Sequence, residues 1–167
     1  LVQAISEGLL QQGIELVILG SGESQYENFF NELCARNPGR VGVYIGFNAK
    51  LAQEIYSGAD IFLMPSRSEP CGLAQMVSCR YGTIPVVRET GGLRDSIHDS
   101  GDGFGNGFTF ANYNAHELYE ACWRAKEGYW QKDGWPVLVH RAMECDFSWS
   151  NSAKSYEGLY NEVVNLW

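Results

Sequence analysis

The sequence of 167 residues has no apolar run approaching the roughly 20 residues that a membrane-spanning helix requires. It is also poor in basic residues, since 12 Lys and Arg stand against 20 Asp and Glu, which gives a formal net charge of −8. A surface this acidic argues against binding to nucleic acid or to an anionic membrane. A small anionic ligand stays compatible with this charge, because backbone N–H groups at a helix start and one or two arginines can hold a phosphate.

Cysteine and histidine are scattered and form no recognisable ligand pattern. The five cysteines are odd in number and include no CxxC pair, which is typical of reduced thiols in a cytosol rather than of a disulfide framework. The three histidines have no metal-ligand spacing, and no HExxH motif occurs. We therefore expect no metal site.

The sequence also lacks an initiator methionine and the basic and apolar regions of a secretory signal. It opens directly with apolar residues at the spacing of an amphipathic helix. We therefore expect the chain to be a piece of a longer protein, folded as a single domain over residues 1–167.

Short apolar runs alternate with segments whose apolar residues recur at helical spacing. The runs predict strands at 14–19, 41–45, 60–64, 84–87 and 107–110. The other segments predict helices at 1–12, around 26–34, through 51–55, and at 73–81, 115–127, 136–144 and 150–167. This alternation predicts an α/β fold with a parallel sheet, flanked by helices that form right-handed crossovers.

Two of the predicted strands end in loops that contain glycine. Met64–Leu73 includes the end of the third strand, and Arg88–Asp95 follows the fourth. Ligands bind outside the carboxyl ends of strands in open parallel sheets, so the two loops predict one site. In the first loop Pro70 restricts Glu69 to extended geometry, and Gly72 lets a ligand approach the backbone. The Glu69 carboxylate is then placed to accept hydrogen bonds from sugar hydroxyls.

Each feature of these loops also has a plainer interpretation. An acid at a helix start complements the helix dipole, and the local pattern favours neither role for Glu69. Thr90–Gly92 offers backbone donors that suit a diphosphate, although a lone pair of glycines is more often a turn. Gly20–Gly22 lacks the third glycine of a dinucleotide fingerprint. Cys71 is far in sequence from the nearest histidine, His98, so a small thiol beside a ligand pocket is a better interpretation than a nucleophile.

Aromatic residues are frequent in the second half of the chain, namely Trp123, Tyr129, Trp130, Trp135, Phe147, Trp149 and Trp167. Aromatic rings can stack on the faces of sugars, but most of these lie in or beside amphipathic segments, so packing in a helical core is the favoured interpretation. Tyr44 and Phe47 lie instead at the end of the second predicted strand, where they are candidates to stack on a nucleotide base.

Several segments taken together are more specific than any single motif. In chain order they are 41–47, 58–67, Glu69–Leu73 (EPCGL), 81–88 and Thr90–Asp95 (TGGLRD), and matches at 106–110, 143–149 and 153–156 follow. This order closely resembles the C-terminal half of bacterial glycogen synthases and plant starch synthases, in glycosyltransferase family 5. The combination of EPCGL with TGGL at this distance is the specific part of the resemblance.

The resemblance implies a GT-B glycosyltransferase, in which two Rossmann-like domains enclose the active site and the C-terminal domain holds the donor. It implies transfer of glucose from ADP-glucose to the non-reducing end of an α-1,4-glucan, with retention and without a metal or cofactor. This chain would then be the donor-binding domain, inactive by itself, with its helix at 150–167 packing toward a missing N-terminal domain. The location would be the cytoplasm, or a plastid in a plant.

The resemblance also assigns roles to individual residues. Glu69 would be the catalytic residue and would bind and orient the donor glucose rather than act as a base, because the leaving phosphate takes the proton of the acceptor. Cys71, Gly72 and Leu73 would line the sugar site, Thr90, Gly91 and Gly92 would face the diphosphate and the sugar, and Phe47 and Tyr44 would lie near the adenine.

Two departures limit the match. The family's Arg and Lys that grip the diphosphate lie in a segment just before the position where this chain starts, and its KTGGL-type loop belongs to the N-terminal domain. Related GT-B families place a second glutamate eight residues after the first, where this chain has Val77, but synthases of the glycogen type share that departure. The alternatives are a GT-B enzyme with another donor or acceptor, and a non-catalytic module that binds nucleotide or glucan.

Overall fold

A computed structural model describes residues 1–166 as strands and helices that alternate along the chain. The strands are β1 (Leu16–Gly20), β2 (Val41–Ile45), β3 (Ile61–Met64), β4 (Ile84–Arg88) and β5 (Phe108–Phe110). The helices are α1 (Val2–Gln11), α2 (Ser24–Arg36), α3 (Ala49–Gly58), α4 (Ala74–Tyr81), α5 (Gly91–Ser96), α6 (Ala115–Tyr129), α7 (Gly134–Glu144) and α8 (Trp149–Val164). A 3₁₀ turn, Ser100–Asp102, follows α5. The predicted α/β fold with parallel strands flanked by helices is confirmed.

The strands pair in two parallel sheets rather than in the one that the alternation suggests. β1 pairs with β2, and Leu16 lies opposite Val41. The second sheet has the order β3, β4, β5, and Ile61 lies opposite Ile84. Within residues 1–166, β1 and β3 share no strand pairing, and residues of both strands line a cleft.

The core centres on β4, whose first four residues, Ile84–Val87, are all buried. A continuous apolar run is what a strand covered on both faces requires. One covering helix is α6, whose buried residues recur at helical spacing: Leu118, Ala121, Cys122 and Ala125. Small residues on this face let α6 lie close to the sheet.

Side chains fix several helix ends. Asn48, Asn114 and Ser148 cap α3, α6 and α8, and each accepts a hydrogen bond from a backbone N–H in the first turn of its helix. Such caps satisfy one of the four unpaired donors at a helix start. Gly82 ends α4 with a φ of 78°, as the sequence pattern predicts for a glycine stop.

The last helix lies apart from the core. Every residue of α8 is exposed, including its apolar residues Tyr156, Leu159, Tyr160, Val163 and Val164. The predicted helix at 150–167 is confirmed within the described residues, and Trp167 lies outside them. No helix within residues 1–166 has both the length and the apolar character that crossing a membrane would take.

The prediction that the C-terminal aromatic residues pack in a helical core is wrong for most of them. Trp149 is 88% exposed and Trp130 is 69% exposed, and Trp123 also faces solvent. The inward face of α6 is formed by Leu118, Ala121, Cys122 and Ala125, and Trp123 is not part of it. Trp135 does pack against the core, edge to face with Tyr129 at a centroid distance of 5.4 Å.

Candidate functional site

The loops that follow β3 and β4 pack against each other through their backbones. The N–H of Gly92 donates to the carbonyl oxygen of Glu69 at 3.1 Å. A Cβ atom on Gly91 would overlap that carbonyl oxygen, and one on Gly92 would overlap the carbonyl oxygen of Cys71. The two loops approach each other so closely that only glycine fits at both positions. The structure thus brings the two predicted loops side by side.

The segment after β4 is more regular than a turn. Gly91 begins the short helix α5, and Thr90 precedes it in an extended conformation without a capping bond from its side chain. We expected the backbone N–H groups of Thr90–Gly92 to be free to bind a diphosphate. This is wrong for Thr90 and Gly92, because their N–H groups already donate to the carbonyls of Arg88 and Glu69, respectively. Within residues 1–166, the N–H of Gly91 has no hydrogen-bond acceptor.

A buried glutamine, which belongs to none of the sequence motifs above, links these loops. Gln75 is fully buried in the first turn of α4, and its Nε2 atom lies 3.2 Å from the carbonyl oxygen of Cys71 and 3.0 Å from that of Gly72. The same Nε2 lies 3.1 Å from the Oγ of Ser96, whose hydroxyl donates to the carbonyl of Gly92 at 2.6 Å. Gln75 and Ser96 thus hold the first loop and α5 at a fixed separation. A polar residue on the buried face of a helix after a glycine loop is the sequence signal that could have indicated it.

Arg88 fixes the start of the first loop. Its Nε donates to the carbonyl of Ser66 at 2.9 Å and its Nη2 to that of Arg67 at 2.5 Å. Its Nη1 reaches the carbonyl of Ala111 at 3.3 Å, after β5. One guanidinium therefore connects the ends of β3, β4 and β5, which places the loops relative to the sheet.

The outer surface of the first loop is open. The carboxylate of Glu69 is half-buried and forms no hydrogen bond or ion pair with the rest of residues 1–166. Cys71 and Leu73 are exposed, and the thiol of Cys71 donates a weak hydrogen bond to the carbonyl of Gly72 at 3.6 Å. Gly72 has a φ of 72°, which favours glycine because other residues are strained there. The arrangement presents a carboxylate and a small thiol to solvent on a rigid backbone.

The two candidate base-stacking residues lie at the end of the other sheet. Phe47 is 92% exposed and Tyr44 is partly exposed. Gly46 between them has a φ of 137°, and its N–H donates to the carbonyl of Gly20 at 2.9 Å. No hydrogen bond within the described part of the chain joins Tyr44 or Phe47 to the loops after β3 and β4, so their role stays a prediction.

Comparison with known proteins identifies the family. Residues 1–129 match the family described as glycosyl transferases group 1. The chain belongs to this family. The glycogen synthase of Bacillus cereus strain B4264 is 48% identical over 166 residues, and that of Desulforudis audaxviator is 49% identical over 167. Both alignments cover 98% of this glycosyl transferase chain but only 35% and 33% of those proteins, so the chain spans about a third of their length.

Solved structures of glycosyltransferases have the same fold as this chain. The glycosyl transferase chain matches the catalytic domain of starch synthase IV from Arabidopsis thaliana, a structure bound to ADP and acarbose, with a TM-score of 0.85 and 35% identity. That match covers 98% of this chain and 35% of the other. Anabaena HepE in complex with UDP and glucose matches with a TM-score of 0.64 at 17% identity, over 83% of this chain and 38% of its own, and supports the fold alone. The predicted resemblance to glycogen and starch synthases is confirmed.

A network of charged and polar side chains supports the end of β4 in this glycosyl transferase chain. Arg124 donates to both carboxylate oxygens of Asp99 at 2.8 Å and to the carbonyl of Thr109 at 2.6 Å. Thr109 in turn donates its hydroxyl to Glu89 at 2.6 Å, beside Thr90. Burial by itself would raise the pKa of Asp99, but the hydrogen bonds from Arg124 and from the backbone N–H of Thr109 outweigh it and lower this pKa. No local sequence pattern indicates this network, because its members lie far apart in the chain.

Within residues 1–166, no group of three or more His, Cys, Asp or Glu residues is arranged to hold a metal ion. Cys79 and Cys122 are buried, and burial raises the pKa of each thiol to about 12, which keeps both protonated at neutral pH. That the glycosyl transferase works without a metal or cofactor stays a prediction.

Proposed function

We propose that this domain binds the nucleotide-sugar donor of a retaining glucosyltransferase, with ADP-glucose as the donor and an α-1,4-glucan as the acceptor. One observation carries the proposal: the loop of Glu69 and the helix start at Gly91 are locked together at the carboxyl ends of two neighbouring parallel strands. Ligands bind at this edge of open α/β sheets. The glycogen synthases and the starch synthase among the relatives support this choice of donor and acceptor.

The proposed chemistry relies on orientation and charge rather than on a base. The free carboxylate of Glu69 accepts hydrogen bonds from hydroxyls of the donor glucose, and Cys71, Gly72 and Leu73 line the space around it. The N–H of Gly91 donates to a phosphate oxygen, and Thr90 and Gly92 hold the backbone that presents it. The leaving phosphate takes the proton of the acceptor hydroxyl on the same face of the sugar, so no metal or cofactor is needed. Phe47 and Tyr44 stack on the adenine.

The proposed partner is a further domain of the same polypeptide. The chain spans about a third of the glycogen synthases that it matches, so two thirds of such a protein lie elsewhere. α8 presents exposed Tyr156, Leu159, Tyr160, Val163 and Val164, which is the surface expected of a helix that packs on another domain. We expect the segment just before Leu1 to supply the Arg and Lys that hold the diphosphate and the N-terminal domain to supply the KTGGL-type loop, so residues 1–167 are inactive without them. The location that we propose is the cytoplasm, or a plastid in a plant.

The test uses the full-length protein with glycogen as the acceptor. Initial rates of glucose transfer are measured with ADP-glucose, UDP-glucose and GDP-glucose, and we expect ADP-glucose to give the highest kcat/KM. A preference for another donor would point to a different GT-B transferase. Binding of ADP without transfer from any donor would instead favour a non-catalytic nucleotide-binding module.

A further inference from the structure

The segment that leads from β3 to Glu69, residues 65–68, is held in place by a single side chain. Among the described residues, its backbone forms no hydrogen bond with any other backbone group. The carbonyls of Ser66 and Arg67 accept from the guanidinium of Arg88 instead. These two bonds are therefore what fixes the segment before Glu69 to the sheet.

The planar guanidinium of Arg88 is suited to this task. Its third bond goes to the carbonyl of Ala111, in the loop after β5, so all three acceptors are backbone carbonyls. A guanidinium holds its donors in a rigid fork, whereas a lysine ammonium is a compact charge on a flexible stem. The ring of Tyr113 lies against the guanidinium, with 5.9 Å between the ring centroid and the central carbon of the guanidinium, and further restricts its orientation.

The position of Glu69 depends on where residues 65–68 lie. Its carbonyl accepts from the N–H of Gly92 at 3.1 Å, so Glu69 itself has one anchor and the segment before it has the other, at Arg88. The Glu69 carboxylate forms no bond of its own among the described residues, so the backbone alone places it. A misplacement of about 1 Å in a group that orients a substrate can cost about 100-fold in rate.

We propose that Arg88 is a positioning residue for the glucosyl transfer, which acts through Glu69 without contacting the donor. Its guanidinium sets the place at which the Glu69 carboxylate meets the hydroxyls of the donor glucose. Arg88 therefore serves the recognition of the sugar rather than that of the nucleotide. This inference rests on the proposed function, because it requires Glu69 to bind the donor sugar.

The first test is Arg88→Lys in the full-length protein, which keeps the charge but cannot reach three carbonyls at once. We expect kcat/KM for transfer from ADP-glucose to fall by about 10-fold or more. The Kd for ADP, which carries no sugar, should change by less than about 3-fold. Unchanged kcat/KM in Arg88→Lys, or a loss of ADP affinity as large as the loss of kcat/KM, would overturn the proposal.

Arg40→Lys is the matched control. Arg40 is also half-buried, and its guanidinium donates to the carbonyls of Leu10 and Ile14, both at 3.0 Å, beside the amino ends of β1 and β2. Both substitutions remove bonds to backbone carbonyls, so both should lower the midpoint of thermal unfolding. Only Arg88→Lys should lower kcat/KM, and an equal fall in Arg40→Lys would show that the effect is one of general stability.

A double-mutant cycle tests whether Arg88 acts through Glu69. In a Glu69→Gln background, Arg88→Lys should lower kcat/KM by less than about 2-fold, because the effects of residues that act as a unit are not additive. A further loss as large as that in the unchanged background would overturn the proposal.

Tyr113→Leu is a milder second variant, which replaces Arg88→Lys in these measurements if that protein does not fold. It removes the ring from the guanidinium and keeps the three carbonyl bonds, so we expect kcat/KM to fall by about 2-fold or more. The absence of any fall would overturn the proposal. If the unchanged protein transfers glucose from no donor, the proposed function fails as well, whereas normal transfer by Arg88→Lys contradicts only the role of Arg88.

Discussion

Gln75 and Ser96 meet across the junction of the two site loops, with the Nε2 of Gln75 lying 3.1 Å from the Oγ of Ser96. Each side chain also bonds a carbonyl of the loop backbone, at Gly72 and Gly92 respectively. Separating the two loops would break the buried bond between Gln75 and Ser96, and a hydrogen bond lost in a buried position costs stability. The Oε1 of Gln75 is buried without a hydrogen-bond partner in residues 1–166, so the Nε2 atom makes all the bonds of this side chain. The geometry of the candidate donor site thus depends on two residues that do not face solvent as part of its surface.

The first prediction concerns this pair. Gln75→Met keeps the volume of the side chain but removes the donor, so we expect the free energy of unfolding to fall by about 1–3 kcal/mol. Gln53→Met, on the exposed face of α3, is the control and should leave stability within about 0.5 kcal/mol. Urea denaturation measures both. A double-mutant cycle with Ser96→Ala should give a coupling energy of about 0.5–3 kcal/mol, and additive effects would contradict a shared bond.

The local pattern predicted most of the fold because helices and strands have different apolar periods. The run Ile84–Val87 and the glycine stop at Gly82 were sufficient to place β4 and the end of α4. α5 was missed, because two consecutive glycines have low helix propensity and the contact that requires them lies on another loop.

Contacts between segments that lie far apart in the chain could not be predicted from the sequence. The division into two sheets depends on which strand edges find a neighbour, and no local pattern reports that. The exposure of Trp130 and Trp149 depends on what covers the helices. For the site, the two loops could be predicted from their position after strands, whereas Gln75 and the network of Asp99 and Arg124 required the structure.

A second prediction concerns the contact between the loops. Gly92→Ala places a methyl group against the carbonyl of Cys71, so the loops must separate. We expect the variant to unfold at a lower urea concentration and to bind ADP more weakly than the unchanged protein. Gly22→Ala is the matched control, because a Cβ at this exposed glycine meets nothing within 4 Å. ADP affinity is measured by calorimetry on the full-length protein. Equal affinity in the two variants would show that donor binding does not depend on the contact between the loops.

A third prediction addresses the carboxylate of Glu69. Glu69→Gln keeps the shape of the side chain but weakens its hydrogen bonds to the donor sugar, so we expect kcat/KM for glucose transfer to fall by about 10-fold or more. The melting temperature should not change, because the carboxylate forms no hydrogen bond or ion pair within residues 1–166. Glu157→Gln, on the exposed helix α8, is the control substitution. Unchanged kinetics in the Glu69 variant would remove this residue from the donor site.

The last prediction is a pH dependence of stability that arises from Asp99. Its pKa is lower in the folded protein than the ordinary value of 3.8, because the hydrogen bonds from Arg124 and the N–H of Thr109 outweigh the effect of burial. For an acid whose pKa is lowered by folding, the stabilising contribution is fully present above the ordinary value and is lost as pH falls through the folded pKa. We therefore expect the free energy of unfolding to decline as pH drops below about 4, and part of this decline to disappear in Asp99→Asn.

The control for this pH profile is Asp133→Asn, because Asp133 precedes α7 on the surface and its side chain forms neither a capping bond nor an ion pair in the described structure. Denaturation midpoints measured between about pH 3 and pH 7 separate the two variants, because Asp99 has hydrogen bonds that form on folding, from Arg124 and from the N–H of Thr109. Asp133→Asn should keep the slope of the unchanged protein. If Asp99→Asn also kept that slope, the bonds from Arg124 would not be stabilising the carboxylate in solution. Loss of the slope in Asp99→Asn together with weaker ADP binding would show that the network also positions Glu89 and the Thr90 backbone beside the donor.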